Sequence, residues 1–291
     1  MIVEPAASSA VRPEELRGAL TLLTEPSPGA VIPLERDEFV VGRAPDVDLS
    51  IDDVGLSRSH VRFFRVKDRY FVEDLRSTNG TSINGVRIQG TTLLSDGARI
   101  QLGKSTILRF SLQDRLEQEA ARALYEQTVR DALTGLHNRR YMEDRLASEF
   151  AFATRHKTHL ALVVLDVDFF KRVNDTHGHQ AGDAVLSALG KRLKGSVPEE
   201  DLVARYGGEE FVIASRSTTR DGVLALAEEI RASISRQPIV HGKVRLELTL
   251  SAGVASMVDN EYKSPSAMMA AADRALYQAK KNGRNQVVLA Q

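Results

Sequence analysis

In Arg205-Tyr206-Gly207-Gly208-Glu209-Glu210-Phe211, two glycines sit between an apolar run and two adjacent carboxylates, and Val212-Ile213-Ala214 follows at once. Apolar runs on both sides of Gly-Gly predict a β-hairpin with a tight turn. Such a turn carries Glu209 and Glu210 to the rim of a sheet, where no side chain covers the glycines. A phosphate chain can approach bare backbone closely. Mg²⁺ takes one or two carboxylates plus substrate phosphates, so acids beside such a gap suit a Mg²⁺-nucleotide site. An ordinary hairpin with exposed acids fits the heptapeptide alone equally well.

Outward from this turn, residues 131–291 alternate helices and strands. Leu202–Arg205 and Phe211–Ala214 flank the glycines. Tyr141–Arg155 and Ala181–Lys194 carry the helical apolar period, and Leu160–Val167 reads as a buried strand. Arg220–Ser235 predicts a helix, Val244–Ala255 a strand, and Ser266–Asn282 a helix stopped by Gly283. Val287–Leu289 closes the sheet. The expectation is an α/β domain with mixed strand order.

Asp166-Val167-Asp168-Phe169-Phe170-Lys171 follows directly on the apolar strand. Alternation places Asp166 and Asp168 on one side of its end. An acid there beside the Gly-Gly-Glu-Glu hairpin fits a two-carboxylate Mg²⁺ site, or a strand-end turn with solvated aspartates. Asn174 and Asp183 bracket a Gly-containing loop that opens a helix. An amide plus a carboxylate can read guanine, because the acid accepts from the ring N–H and the exocyclic amine. Adenine lacks those donors. His177 and His179 lack a cysteine or third ligand nearby and are read as structural or at the substrate edge. Lys280-Lys281-Asn282-Gly283-Arg284 ends a helix, where cations complement the helix dipole or neutralise a triphosphate.

The N-terminal part has another texture. Residues 1–18, rich in Ala, Ser, Pro and Glu, read as a mobile tail in which Ser8 and Ser9 are solvated. Residues 19–110 show short strands at Ala19–Leu23, Phe39–Val41, Val61–Val66, Tyr70–Asp74, Thr92–Leu94 and Ile107–Phe110, with Asn79-Gly80, Asn84-Gly85 and Asp96-Gly97 as turns. That pattern predicts an all-β sandwich. Residues 111–130 predict one linker helix with a thin stripe of Leu112, Leu116, Ala120, Ala123 and Leu124. The stripe fits self-pairing or packing on its own domain.

At 291 residues the chain is long enough for two domains. Lys+Arg and Asp+Glu are both 39, so the net charge of zero argues against a bulk nucleic-acid binder or a polybasic membrane anchor. No cysteine is present, which removes disulfides, thiolate zinc and a Cys nucleophile. Met1-Ile2-Val3-Glu4-Pro5 is no signal peptide and Leu160–Leu165 is too short to span a bilayer, so a cytoplasmic protein is expected.

Gly42-Arg43, Ser57-Arg58-Ser59-His60, Ser77-Thr78-Asn79-Gly80 and Asn84-Gly85 all fall in loops and supply a guanidinium, hydroxyls and an amide. That set suits a single phosphate. Their order resembles the forkhead-associated (FHA) domain, a phosphothreonine-recognition module, over roughly residues 20–110. The resemblance implies that Arg43, Ser57 and Arg58 bind the phosphate, and that Thr78 and Asn79 help there and hold the ligand's main chain. Gly42 and His60 are then architectural. The phosphorylated partner is another protein, the chain's own tail or a second protomer.

Asp131-Ala132-Leu133-Thr134-Gly135-Leu136-His137-Asn138-Arg139-Arg140, Asp166–Lys171, His177-Gly178-His179, Gly207–Phe211, Ser251-Ala252-Gly253-Val254-Ala255 and Ala272-Asp273-Arg274-Ala275-Leu276-Tyr277 together resemble the GGDEF-family diguanylate cyclases, across residues 131–291. The resemblance implies a palm-like, nucleotide-cyclase-like α/β fold. It implies condensation of two GTP into cyclic di-GMP with release of pyrophosphate, by two facing protomers that each hold one GTP. Asp166, the Val167 carbonyl and Glu209 are implied as ligands of two Mg²⁺ ions, with Mn²⁺ an alternative. Glu209 is also the implied acceptor of the 3′-hydroxyl proton, with Glu210 catalytic in a role left open. Phe169 and Phe170 N–H groups, Lys171, Lys280 and Arg284 are implied for the phosphates, Asn174 and Asp183 for guanine, and His179 for the substrate edge. Arg205 and Asp131 are expected to pair and brace the hairpin.

One departure matters. Many members carry an Arg-x-x-Asp product-inhibition site just before the turn, and here that window is Pro198-Glu199-Glu200-Asp201. Proline cannot donate to a product phosphate and two glutamates repel one, so weak or absent feedback is expected. The alternatives to an FHA-controlled cyclase are an inactive GGDEF domain serving as a nucleotide-binding scaffold, and a pure phosphopeptide adaptor. Asp166, Asn174, Asp183, Glu209, Glu210 and Lys280, all retained, argue against both.

Overall fold

A computed structural model describes residues 16–216, 218–242, 244–258 and 260–291. Ser8 and Ser9 lie outside them. The chain divides into two compact units between residues 126 and 127.

The first unit holds β1 (Arg17–Leu22), β2 (Val31–Pro33), β3 (Glu38–Gly42), β4 (Leu49–Ser50), β5 (Val61–Val66), β6 (Arg69–Asp74), β7 (Thr81–Ile83), β8 (Val86–Arg87), β9 (Thr91–Leu93), β10 (Arg99–Leu102) and β11 (Thr106–Gln113). They form a six-stranded sheet, β2-β1-β11-β10-β7-β8, and a five-stranded sheet, β4-β3-β5-β6-β9. Leu20, Val41, Phe63, Val72, Ile100, Leu108 and Phe110 form one apolar core, as the inward half of an alternating pattern must. This is the expected sandwich.

Its edges correct the sequence reading twice. Arg17 and Gly18, expected in the tail, belong to β1 and pair with Gln113 and Leu112. Ser111–Gln113, expected in the linker helix, complete β11. The helix, α1 (Arg115–Val129), starts only after Asp114. Asp114 Oδ1 accepts from the Glu117 N–H (2.7 Å) while Glu117 Oε2 accepts from the Asp114 N–H (3.0 Å), a reciprocal cap that fixes this start. No residue of α1 is buried, and Leu116 and Leu124 are 75% and 65% exposed. Of the stripe, Leu112 packs against the sandwich core from β11, whereas Leu116, Ala120, Ala123 and Leu124 on α1 are exposed.

The second unit holds α2 (Arg139–His156), β12 (Leu160–Val167), α3 (Phe170–His177), α4 (His179–Ser196), β13 (Leu202–Arg205), β14 (Glu210–Arg216), α5 (Arg220–Arg236), β15 (Ile239–His241), β16 (Val244–Leu246), β17 (Leu250–Ser256), α6 (Pro265–Lys281) and β18 (Val287–Leu289). The central sheet runs β13-β14-β12-β17-β18, antiparallel except for β17–β18. All eight residues of β12 are buried, because both faces are covered. Leu160, Leu162 and Val164 join the core with residues of α2 and α6. Ala161, Val163, Leu165 and Val167 join the core with residues of α4 and α5.

The expected single strand Val244–Ala255 is two. β16 leaves the sheet to pair with β15, and β17 stays. Leu246, Leu248 and Leu250 are all buried, so the period of two runs unbroken across the bend and hides it. Among the described residues no helix is long and apolar enough to cross a membrane.

Candidate functional site

β13 and β14 pair with Arg205 opposite Phe211, and the N–H groups of Tyr206 and Gly207 both donate to the Glu210 carbonyl (2.8 and 3.2 Å). The turn is held from below by Arg205. Its Nε and Nη2 donate to the Gly208 carbonyl (3.2 and 2.8 Å), and its Nη1 to both Asp131 oxygens (3.3 and 3.2 Å). Burial alone would raise the Asp131 pKa. Hydrogen bonds from Thr134 and the Arg205 charge outweigh it, and the carboxyl sits below its usual value. The glycines divide their labour. A Cβ on Gly207 would lie 2.6 Å from Glu210 Oε2, whereas Gly208 has nothing within 4 Å. Gly207 makes room for a carboxylate, and Gly208 leaves the open backbone.

The acids meet at one rim. Asp166 lies opposite Glu210 across β12–β14, and the Val167 N–H donates to the Glu209 carbonyl (3.3 Å). Asp166 is 5% exposed and Lys280 Nζ, from α6, lies 2.8 Å from its Oδ2. Burial raises the Asp166 pKa, Lys280 opposes this, and Glu210 and Asp168 add to it. Burial and then the Asp166 charge raise that of Glu209. Carboxylates crowded enough to repel one another need a cation between them, and the Lys280 ammonium supplies one charge here. No group of three His, Cys, Asp or Glu side chains among the described residues has metal-holding geometry. A donor set of two carboxylates and a carbonyl suits Mg²⁺ that also takes oxygens from phosphates.

Asp168 does not join this pair. It is buried, and its oxygens accept from Thr249 Oγ1 (2.7 Å), Ser251 Oγ (2.7 Å) and the Asn285 N–H (3.1 Å). Its lone pairs are committed inside the protein, so it is not the solvated aspartate of a plain strand-end turn. Phe169 takes a left-handed conformation (φ 57°) ahead of α3, and the Arg284 guanidinium lies 4.4 Å from its ring centre. Phe170 is buried, while Lys171 is exposed in the first turn of α3.

Asn174 and Asp183 do not bracket a loop. α3 ends at His177, Gly178 turns at φ 82°, and α4 begins at His179, which is exposed. The whole break is one glycine, too short to register as an interruption. A Cβ on Gly182 would lie 2.0 Å from Asn174 Oδ1, so that amide rests against the residue before Asp183.

A cluster beside the turn was not legible. Tyr206 Oη and Arg139 Nε both donate to Glu143 Oε1 (2.8 Å each), and the Arg139 guanidinium lies 4.7 Å from the Tyr206 ring centre. Burial, then Glu143, pushes the Tyr206 hydroxyl up to about 12. Glu143 lies one helical turn from Arg139, a spacing any solvated helix face shows.

In the first unit the loops converge as their order implied. The Thr78 N–H donates to Ser57 Oγ (2.9 Å), and Asn79 Nδ2 donates to the Gly55 carbonyl (2.9 Å). Arg43 Nε reaches the Leu56 carbonyl (3.4 Å), and Arg58 is exposed. A Cβ on Gly42 would lie 2.1 Å from the Arg58 carbonyl oxygen, so only glycine admits this approach. His60 is fully buried. Its Nδ1 accepts from the Ser57 N–H (3.1 Å), which assigns the proton to Nε2, donating to the Gly80 carbonyl (3.2 Å). Burial lowers its pKa and keeps it neutral. Asp74, not singled out from sequence, accepts from Ser77 and Thr81 and fixes the loop bearing Thr78 and Asn79.

A family model for the diguanylate cyclase GGDEF domain matches residues 128–286. The chain belongs to the GGDEF family. A model for the FHA domain matches residues 39–103. The response regulator PleD of Caulobacter vibrioides is 43% identical over 187 residues, covering 64% of this chain and 41% of PleD. Diguanylate cyclase A of Treponema denticola is 37% identical over 169 residues, covering 57% and 45%. The match thus spans under half the length of these relatives. The coiled coil and GGDEF domain of DgcB from Caulobacter crescentus, solved with c-di-GMP, is 32% identical with a TM-score of 0.56, covering 60% of this chain and 91% of that one.

Proposed function

We propose that the GGDEF domain condenses two GTP into cyclic di-GMP and two pyrophosphates. The observation that carries this is the crowding of Asp166, Glu209 and Glu210 at the rim beside open backbone at Gly208, with Lys280 as the nearest cation. In each of two steps a 3′-hydroxyl attacks the α-phosphorus of the other nucleotide, and pyrophosphate leaves. Asp166, the Val167 carbonyl and Glu209 would hold two divalent ions, Mg²⁺ or Mn²⁺. Such ions, when bound, polarise the α-phosphate and acidify the 3′-hydroxyl. Glu209, its pKa raised by burial and by Asp166, is suited to take that proton. Lys171, Lys280, Arg284 and the Phe169 and Phe170 N–H groups bind the phosphates, and Asn174 and Asp183 select guanine, with His179 at the edge. GTP with Mg²⁺ should yield product, whereas ATP, or GTP with a chelator, should not. Equal turnover of ATP would sink the guanine assignment.

One site holds one GTP, so two protomers must face each other. The exposed stripe of α1 supports homodimerisation through that helix. The FHA domain would bind a phosphothreonine segment through Arg43, Ser57, Arg58, Thr78 and Asn79 and bias this pairing. Arg43→Ala should weaken binding of a phosphothreonine peptide by about a hundredfold, since it removes a charge-assisted phosphate contact. Fluorescence anisotropy on a peptide selected with the wild type reads this. Unchanged affinity would move the phosphate site elsewhere.

Product feedback through the 198–201 window is absent in this reading. Asp201 is engaged within the fold, accepting from Ser215 Oγ and from the Arg216 N–H (2.9 Å). Asp201→Ala should cost about 1–2 kcal/mol of stability and leave product sensitivity unchanged. Tight non-competitive inhibition that this substitution abolishes would contradict it.

A further inference from the structure

The turn after α6 is unusual. Gly283, Arg284 and Asn285 take φ values of 111°, 65° and 48°, so two consecutive side-chain-bearing residues are left-handed. Arginine has no intrinsic preference for that region, and the surroundings must impose it. Local bonds do part of this. The Arg284 N–H donates to the Ala279 carbonyl (3.0 Å), and Gln286 Nε2 donates to the Ala279 and Arg284 carbonyls (3.1 and 3.2 Å). The rest comes from elsewhere in the chain. The Asn285 N–H donates to Asp168 at the end of β12, and Asn285 Oδ1 accepts from Arg231 Nη1 of α5 (2.5 Å).

Arg231 is built for that contact. Glu228 grips its guanidinium along one edge, Nε to Oε2 at 2.8 Å and Nη2 to Oε1 at 2.5 Å. A planar guanidinium held bidentately has a fixed orientation, so Nη1 is aimed at Asn285. The Arg231 side chain is 17% exposed. Arg284, presented by this turn, stacks on Phe169, the residue directly after Asp168.

We propose that Arg231 is a positioning residue for triphosphate binding: through Asn285 it holds the left-handed turn that presents Arg284 beside Phe169. The inference rests on the reading of Arg284 as a phosphate ligand. Arg231 itself touches no nucleotide. It narrows the orientations of a group that does, which lowers the ordering cost of binding. Its effect must then vanish when Arg284 is absent.

The test is a double-mutant cycle read by calorimetric binding of α,β-methylene GTP in Mg²⁺ buffer. Arg231→Gln should weaken binding about tenfold, the scale of one hydrogen bond to a charged group. The double variant Arg231→Gln/Arg284→Ala should bind no more weakly than Arg284→Ala alone. Asn285→Gly keeps the left-handed backbone free of strain and leaves the Arg231–Glu228 pair intact. It should reproduce the loss, which separates the effect from any folding defect particular to Arg231. Wild-type affinity in Arg231→Gln, or a further tenfold loss in the double variant, would overturn the proposal. A wild type that does not bind the analogue would instead overturn the nucleotide reading beneath it.

Discussion

Glu209→Gln is expected to lower cyclic di-GMP formation by about a thousandfold or more while the protein stays folded. Glutamine keeps the shape and removes the charge, so it neither ligates a divalent ion as a carboxylate does nor accepts a proton. The fold does not depend on that charge. Burial and the neighbouring Asp166 both disfavour the ionised form of Glu209, which makes the carboxylate a local strain on the nucleotide-free protein. The melting temperature should accordingly stay the same or rise. Loss of activity together with a higher melting point marks a group kept for chemistry and not for stability. A variant that retains activity would remove Glu209 from the catalytic set.

Gly253→Ala is expected to destabilise the second unit by about 3 kcal/mol, the upper range for overpacking a close contact. The added Cβ would lie 2.1 Å from the Ala272 carbonyl oxygen and 2.3 Å from the Leu276 backbone nitrogen. Both are main-chain atoms of α6, so no side chain can swing away. The helix must lift off β17, and it carries Lys280 at its last turn. Far-ultraviolet ellipticity reports this unit well, because α2–α6 all belong to it. Denaturation followed by that signal should shift to markedly lower denaturant, and GTP-analogue binding should weaken with it. A shift corresponding to less than about 1 kcal/mol would mean that strand and helix separate more easily than a close-packed interior allows.

What the sequence showed and what it hid have physical causes. β12 and β13 were bounded correctly because uninterrupted apolar runs flanked by polar residues leave little choice of ends. The rim acids were legible because Gly-Gly-Glu-Glu is both a turn and a chemistry. The role of Asp168 was not. Its partners Thr249, Ser251 and Asn285 are over 80 residues away in sequence, and no local pattern records such a contact. Alternation placed it beside Asp166, and long-range hydrogen bonds hold it inside the protein as a brace. The strands β2, β4, β7, β8 and β10 have two to four residues each, too short for a period of two to register. Ser111–Gln113 read as helix because Leu112 extends the spacing of Leu116, while pairing with Arg17–Ala19 made those residues a strand. The Arg231–Asn285 link escaped for the same reason as Asp168, since α5 and the last turn meet only in the folded chain.

The most direct test incubates the purified chain with GTP and Mg²⁺ and identifies the products by chromatography against authentic cyclic di-GMP. The same reaction runs with Glu209→Gln and with a phosphothreonine peptide that the FHA domain binds. Cyclic di-GMP and pyrophosphate in a 1:2 ratio, absent from the Glu209→Gln reaction, are expected. Bound GTP with no cyclic dinucleotide, with or without the peptide, would contradict the cyclase and leave a nucleotide-binding scaffold.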